Sequence, residues 1–334
     1  LKVSSIPGSM IPGSIVMVHH TRGASIDTDN QGIHKDEIDK TGVYSIFRVD
    51  NIIPGPNYVI LSYSFPFLGD WQFLRRNFPD PGLPGGVAQL VTVPRYEYAV
   101  VDFELTAAEW DLQSGTGGIC AMWVDRTLTL NANINLTGKG LKGADPKNRT
   151  YTGDISAVDT ALYNKFFYDT IPVNRAGLKG EGITRTTFDK LRGRGKNITG
   201  GGGGNGKFSG GGGGSNCTPG GDGGREIAWS PIETGGLRGQ GLFSKNFYTN
   251  TDIINKNRIF LGGGGGTGTQ IPDSGYYASR GGNGGGIVVI LADSVKGNNF
   301  SIIANGESVS DIATACLLYT SPSPRDRTRS RMPS

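Results

Sequence analysis

The sequence predicts an all-β protein whose second half is organised around glycine. Three observations carry that prediction. The first hundred residues hold short β-branched and aromatic runs separated by Gly/Pro clusters. A unit spanning 118–138 recurs at 286–306. Between the two copies, over 193–286, about a third of the residues are glycine, against a usual ~7%.

The N-terminal strands follow in order. Ser14–His20 is β-rich and leaves a Pro-Gly turn. Thr41–Asp50 alternates, with Val43, Ser45, Phe47 and Val49 on one face and Tyr44, Ile46 and Arg48 on the other. After the turn cluster Pro54–Asn57, Tyr58–Phe65 aligns Val59, Leu61, Tyr63 and Phe65. Gln89–Val93 and Tyr96–Leu105 follow, separated by Pro94. This spacing predicts a small β-barrel or sandwich over 1–98. A glycine-rich β domain is expected over 99–315.

The recurring unit is the strongest internal signal. Gly118, Ile119, Asp125, Asn131, Ile134 and Gly138 meet identical residues in the second copy without a gap. Each copy reads as Gly-Gly, an apolar run, an Asp, a second strand and a closing glycine. The apolar run suits a strand covered on both faces. Asp125 and Asp293 are expected to make turns through their own side chains, with Gly138 and Gly306 closing the units. The two copies read as equivalent hairpins or rungs of a β-solenoid-like or sandwich domain. Asp154–Thr170 is the one fair helix candidate.

The stretch GGGGGNGKFSGGGGGSNC, from Gly200 to Cys217, admits several readings. Gly201, Gly206 and Lys207 begin a phosphate-loop pattern, but Phe208 stands where a metal-binding hydroxyl is required. The polar LRGRGKNITG precedes it where a buried strand should stand, and more glycine follows where a helix should start. Gly220–Gly224 lacks the repeat of a calcium-binding glycine nonapeptide. A flexible linker is the bland reading. However, Ile227, Trp229, Leu237, Leu242, Phe243, Ile259, Phe260 and Leu261 are interleaved with the runs, and these are core formers. Ordering each glycine costs roughly 0.5–1 kcal/mol more than ordering an alanine. That burden suits places where backbones touch and no Cβ fits, so an ordered, polyglycine-II-like insertion is expected.

Charge and chain ends narrow the classes further. Residues 316–334, CLLYTSPSPRDRTRSRMPS, read as a translated sequencing-library adapter and are set aside from fold reasoning. Leu1 is not a methionine, so the chain reads as part of a longer frame. The formal charge is +4, and the segment set aside contributes +3 through Arg325, Arg327, Arg329 and Arg331 against Asp326. The +1 that remains supplies no basic stripe for a nucleic-acid partner. No apolar window suits a transmembrane helix. Cys120 and Cys217 remain as two cysteines able to pair in an oxidising compartment.

Catalytic chemistry finds few candidates. His19 and His20 are adjacent on a strand and point to opposite faces, and with His34, Asp27 and Asp29 they show no metal-ligand spacing. No metal or cofactor is expected, and no nucleophile elbow is present. Asp102, Glu104, Glu109 and Asp111 cluster near a strand end and are the only candidates for a carboxylate pair acting on a polysaccharide. Tyr163, Phe166, Phe167 and Tyr168 are candidates for stacking on sugar rings, although such clusters are more often core.

Taken in succession, GSIVMVHHTRGASIDTDN, TGVYSIFRVDNI, the run from Val87 to Gly143, RIFLGGGGGTG and GGNGGGIVVILADSVKGNNFSIIANGES resemble glycine-rich secreted surface proteins of Bacteroidota. Such proteins often carry a type IX secretion or gliding-motility-associated sorting domain, which is not among these residues. The resemblance implies an extracellular or cell-surface location and an adhesin-like or matrix-like role. The expected function is a non-enzymatic surface component that displays low-affinity contacts to surface glycans or other envelope components. The competing expectation is a polysaccharide-active β-helix hydrolase or lyase.

Overall fold

A computed structural model describes residues 1, 3–28, 31–32, 41–62, 86–145, 166–167, 176–184, 190–206, 209–224, 234–242, 258–269 and 279–309. Among them all regular secondary structure is β, with no helix. Strands β1 (Ile15–Arg22), β2 (Tyr44–Ile53), β3 (Tyr58–Ser62) and β4 (Val87–Thr92) pair antiparallel in the order β3-β2-β1-β4. β3 and β4 are the two edges of this sheet, so the expected barrel does not close. Every residue of β1 is buried, because both faces of the sheet are covered. Val16, Val18, Val43, Phe47, Val49 and Val59 form the core on one face. Ile15, Met17 and Ile46, on the other, join a cluster with Trp110, Ile119, Ile198, Phe260, Leu261 and Ile287. Alternation along β1 and β2 thus feeds two cores at once.

The second sheet is parallel. β7 (Ile119–Leu130) lies at its centre, with β5 (Arg95–Tyr96) and β6 (Ala99–Val101) on one side and β9 (Ile287–Lys296) on the other. β8 (Ile134–Asn135) pairs parallel with β10 (Ile302–Ile303), and Leu105 bridges to Ile134 in the same sense. The recurring sequence unit is therefore a structural register: Ile119 faces Ile287 and Ile134 faces Ile302. A third segment, 95–105, stacks on the same ladder although it lacks the Gly-Gly entry. The boundary drawn at 98/99 falls between β5 and β6, both of which pair with β7. Leu128, Leu130, Ile134 and Leu136 share one buried cluster with Val101, as their alternation requires. The described strands form no solenoid.

Two turn expectations need correction. Asp125 lies inside β7 and Asp293 inside β9, so neither makes a turn. The chain continues straight because the pairing slips by one residue between Val124 and Thr127, a bulge that absorbs the irregularity without reversing direction. Asp125 instead takes the Arg95 guanidinium on both oxygens, with Nε at 2.9 and 3.0 Å. Gly138 does close a turn. The Lys139 amide donates to the Leu136 carbonyl, and Gly138 has φ +69°, which favours glycine. Gly306 is exposed beside Asn283 and lies outside any turn.

The glycine runs are extended segments that bond to one another in a lattice. Along 262–267, successive amides donate to Gly285, Ser215, Glu181, Gly282, Gly212 and Leu178. The partner segment repeats every third residue: 281–285, then 212–215, then 178–181. The carbonyls of the same run accept from Leu141 and Ala144 on one side and from Gly201 and Gly204 on another. Residues 201–204 repeat the rule, donating to Gly264, Leu237, Gly193 and Thr267. A Cβ added at Gly264 would overlap the Lys142 carbonyl, and one at Gly201 the Gly212 carbonyl. Side chains are excluded because backbones touch in several directions around each run.

Candidate functional site

Phosphate binding is the first chemistry the lattice settles locally. The amides of Gly201 to Gly204 are each committed to a backbone carbonyl, so they form no anion cradle. Lys207 and Phe208 lie outside the described residues.

The four carboxylates are engaged by different partners. Asp102 accepts from Asn131 Nδ2 at 2.8 Å, and Asn131 Oδ1 in turn accepts from Asn298 Nδ2 at 3.2 Å. Glu104 accepts from Asn135 Nδ2 at 3.4 Å. Together with Asn133, which takes the Ser301 amide at 2.9 Å, they make a polar ladder across the three stacked segments. Glu109 pairs with Lys142 at 2.6 Å and Lys139 at 3.3 Å, and these bonds hold its carboxyl below the usual range. Asp111 accepts the Ser114 amide at 2.9 Å, which lowers its pKa as well. A general acid requires the opposite shift.

His19 is fully buried between Thr21 Oγ1 at 3.0 Å and the Ile259 carbonyl at 2.9 Å. Burial lowers its pKa to about 4, so it stays neutral at physiological pH. No cluster of three metal-ligating side chains occurs among the described residues. His34 and Asp29 lie outside them. No disulfide joins Cys120 and Cys217.

Phe166 and Phe167 turn their rings to cations within the molecule. Phe167 covers the Lys179 ammonium with Nζ 4.0 Å from the ring centroid, and Phe166 lies 5.9 Å from the Arg194 guanidinium. Lys179 Nζ also donates to the carbonyls of Phe166, Gly193 and Gly195 at 2.5, 3.0 and 2.5 Å. Tyr163 and Tyr168, with the rest of the helix candidate 154–170, lie outside the described residues, as does 316–334.

One surface was not anticipated. A cleft of ≈ 520 Å³ opens where β1 and β2 approach β4 and β5, with Ser9, Ser14, Arg48, Thr92 and Arg95 on its walls. Arg95 stacks on Trp123 at 5.3 Å while paired to Asp125, so its orientation is locked. Arg48 is exposed, and among the described residues no carboxylate pairs with it. Beyond Arg95 the chain exposes Tyr96, Tyr98 and Phe103, the last at 86%. Arg48 was visible in the sequence as the one cation on an alternating strand, yet its facing wall comes from residues over forty positions away.

Comparison with protein-family models, with curated proteins and with solved structures gave no match. No helix among the described residues is long and apolar enough to cross a membrane.

Proposed function

We propose that this chain is a non-enzymatic, adhesin-like scaffold of an extracellular or cell-surface protein, in the manner of the glycine-rich surface proteins of Bacteroidota it resembles. The glycine lattice, read as polyglycine II packed against a β-sandwich-like pair of sheets, is the observation that carries this reading. Three-direction backbone bonding yields a stiff body without a large apolar core, which suits a display element better than a catalyst that must open and close. The contact surface proposed is the Arg48/Arg95 cleft with Tyr96 and Tyr98 beside it. A guanidinium and exposed aromatic rings together fit an acidic glycan, the cation taking a carboxylate and the rings stacking on sugar faces.

The test uses the full chain against immobilised acidic and neutral polysaccharides. Retention on the acidic ones, weakened about tenfold in Arg48→Ala with no sugar ends released, is expected, since a charge-assisted bond is worth roughly 1.5–3 kcal/mol. Release of reducing or unsaturated ends that disappears in Glu109→Gln or Asp102→Asn would establish the polysaccharide-active alternative instead.

A further inference from the structure

Asparagine followed by glycine occurs at 205–206, 283–284 and 305–306. In each pair the glycine carries no Cβ to shield its amide nitrogen from the neighbouring carboxamide. The sequence ranks the three pairs alike, but the structure separates them. Asn205 is buried, and the Gly206 amide donates to Ser209 Oγ at 2.9 Å. Asn283 is held on every side: its Oδ1 accepts the Gly143 amide at 2.9 Å, its carbonyl accepts the Glu307 amide, and the Gly284 amide donates to the Leu141 carbonyl at 2.9 Å.

The third pair is different. Asn305 and Gly306 are both exposed. Neither the Asn305 carboxamide nor the Gly306 amide has a hydrogen-bond partner among the described residues. The peptide between them is held by one bond, from the Gly138 amide to the Asn305 carbonyl at 3.0 Å. A Cβ at Gly306 would meet nothing nearer than the Asn283 carbonyl oxygen at 3.6 Å, so no neighbour presses on the glycine.

We propose that Asn305 is a modification site, deamidating spontaneously in the folded chain. The Gly306 amide nitrogen bonds to Asn305 Cγ, the Cγ–Nδ2 bond breaks, and ammonia leaves with the amide proton. One water then opens the succinimide at either carbonyl, leaving an aspartate or an isoaspartate linkage at position 305. Water is the only co-reactant. The isoaspartate routes the main chain through Cβ and so lengthens it by one carbon between two anchors. Upstream, the Ile303 carbonyl accepts the Leu136 amide. Downstream, the Glu307 amide donates to the Asn283 carbonyl, and the Glu307 carboxylate holds Arg280 and the Asn283 amide, the latter at 3.1 Å. The longer link cannot keep both anchors in register, so the end of the 286–306 segment loosens. Neither residue lines the Arg48/Arg95 cleft, and the inference does not rest on the glycan-display reading.

Incubation of the full chain at pH 8 and 37 °C tests it, read by peptide mapping in a mass spectrometer and by isoaspartate-specific methylation. Asn305 converts to a mixture of aspartate and isoaspartate while Asn205 and Asn283 stay intact. The same chain unfolded in urea modifies all three pairs. Gly306→Ala, whose methyl fits the space present, slows the conversion roughly tenfold by shielding the attacking nitrogen. In the isoaspartyl fraction, separated by anion exchange, the Glu307 amide exchanges hydrogen faster than in the unmodified chain. Loss of the Asn305 carboxamide no faster than at Asn205 or Asn283 in the folded chain overturns the proposal. So does an undiminished rate in Gly306→Ala, or aspartate formed without isoaspartate, since either means direct attack by water.

Discussion

At the scale of single residues, the buried polar groups set the conditions under which the fold holds. His19 is neutral in the folded chain because burial holds its pKa near 4, against 6.5 when unfolded. A depressed folded pKa means the unfolded state binds the proton first. The contribution is therefore complete above pH 6.5 and is lost as pH falls towards 4, amounting to about 3 kcal/mol at most. Urea unfolding at successive pH values checks this: stability declines between pH 6.5 and 4.5 in the wild type, and His19→Gln flattens that decline. The carboxylates with lowered pKa, Glu109, Asp111 and Glu307, enter only at lower pH. Lys179 offers a second test. Lys179→Met leaves the carbonyls of Phe166, Gly193 and Gly195 without their shared donor, and each orphaned acceptor costs roughly 1–3 kcal/mol. A fall in the unfolding midpoint larger than a surface Lys→Met change produces is the expected outcome.

At the scale of elements, neighbouring glycines are unequal, and substitution distinguishes them. Gly264→Ala drives a methyl into the Lys142 carbonyl and should destabilise the chain by about 3 kcal/mol or more, in line with overpacked cores. A Cβ at Gly265 comes no nearer than 3.3 Å to a neighbour, the Gly282 nitrogen, so Gly265→Ala asks only a small adjustment and should cost clearly less than Gly264→Ala, about 1 kcal/mol. Equal losses at both sites, measured by thermal unfolding, would contradict the lattice geometry. The sequence carried much of this level. Strands β1 to β4 were legible because alternation over β-branched residues marks them, and the unit 118–138/286–306 matches the pairing register over 119–124 and 134–135, with a one-residue slip over 127–129. Segment 95–105 was not recognised as a third copy because Arg95 and Tyr96 replace the apolar run and no Gly-Gly precedes it. The Asp125 position misled because an Asp between two apolar runs looks the same whether the chain turns or only slips register by one residue. The carboxylate cluster was legible as a group, but its ladder to Asn131, Asn135 and Asn298 depends on stacking that one segment cannot reveal.

At the scale of the whole molecule, the two β-sheets and the glycine lattice share a core. Ile15, Met17 and Ile46 from the first sheet meet Phe260 and Leu261, which lead directly into the run 262–267. The lattice is thereby anchored to a conventional apolar cluster, and its glycines supply connection rather than hydrophobic burial. Composition had suggested a wall over a linker, but only the alternation of hydrogen-bond partners shows how the wall is bonded. Hydrogen exchange of the amides Gly262 to Thr267 in the intact chain tests that claim most directly. The structure predicts that all six are protected far beyond an unstructured chain and lose protection together, since they donate into three surrounding segments. Exchange at the unstructured rate across this run would mean that the glycines are a flexible linker, and the lattice account would be wrong.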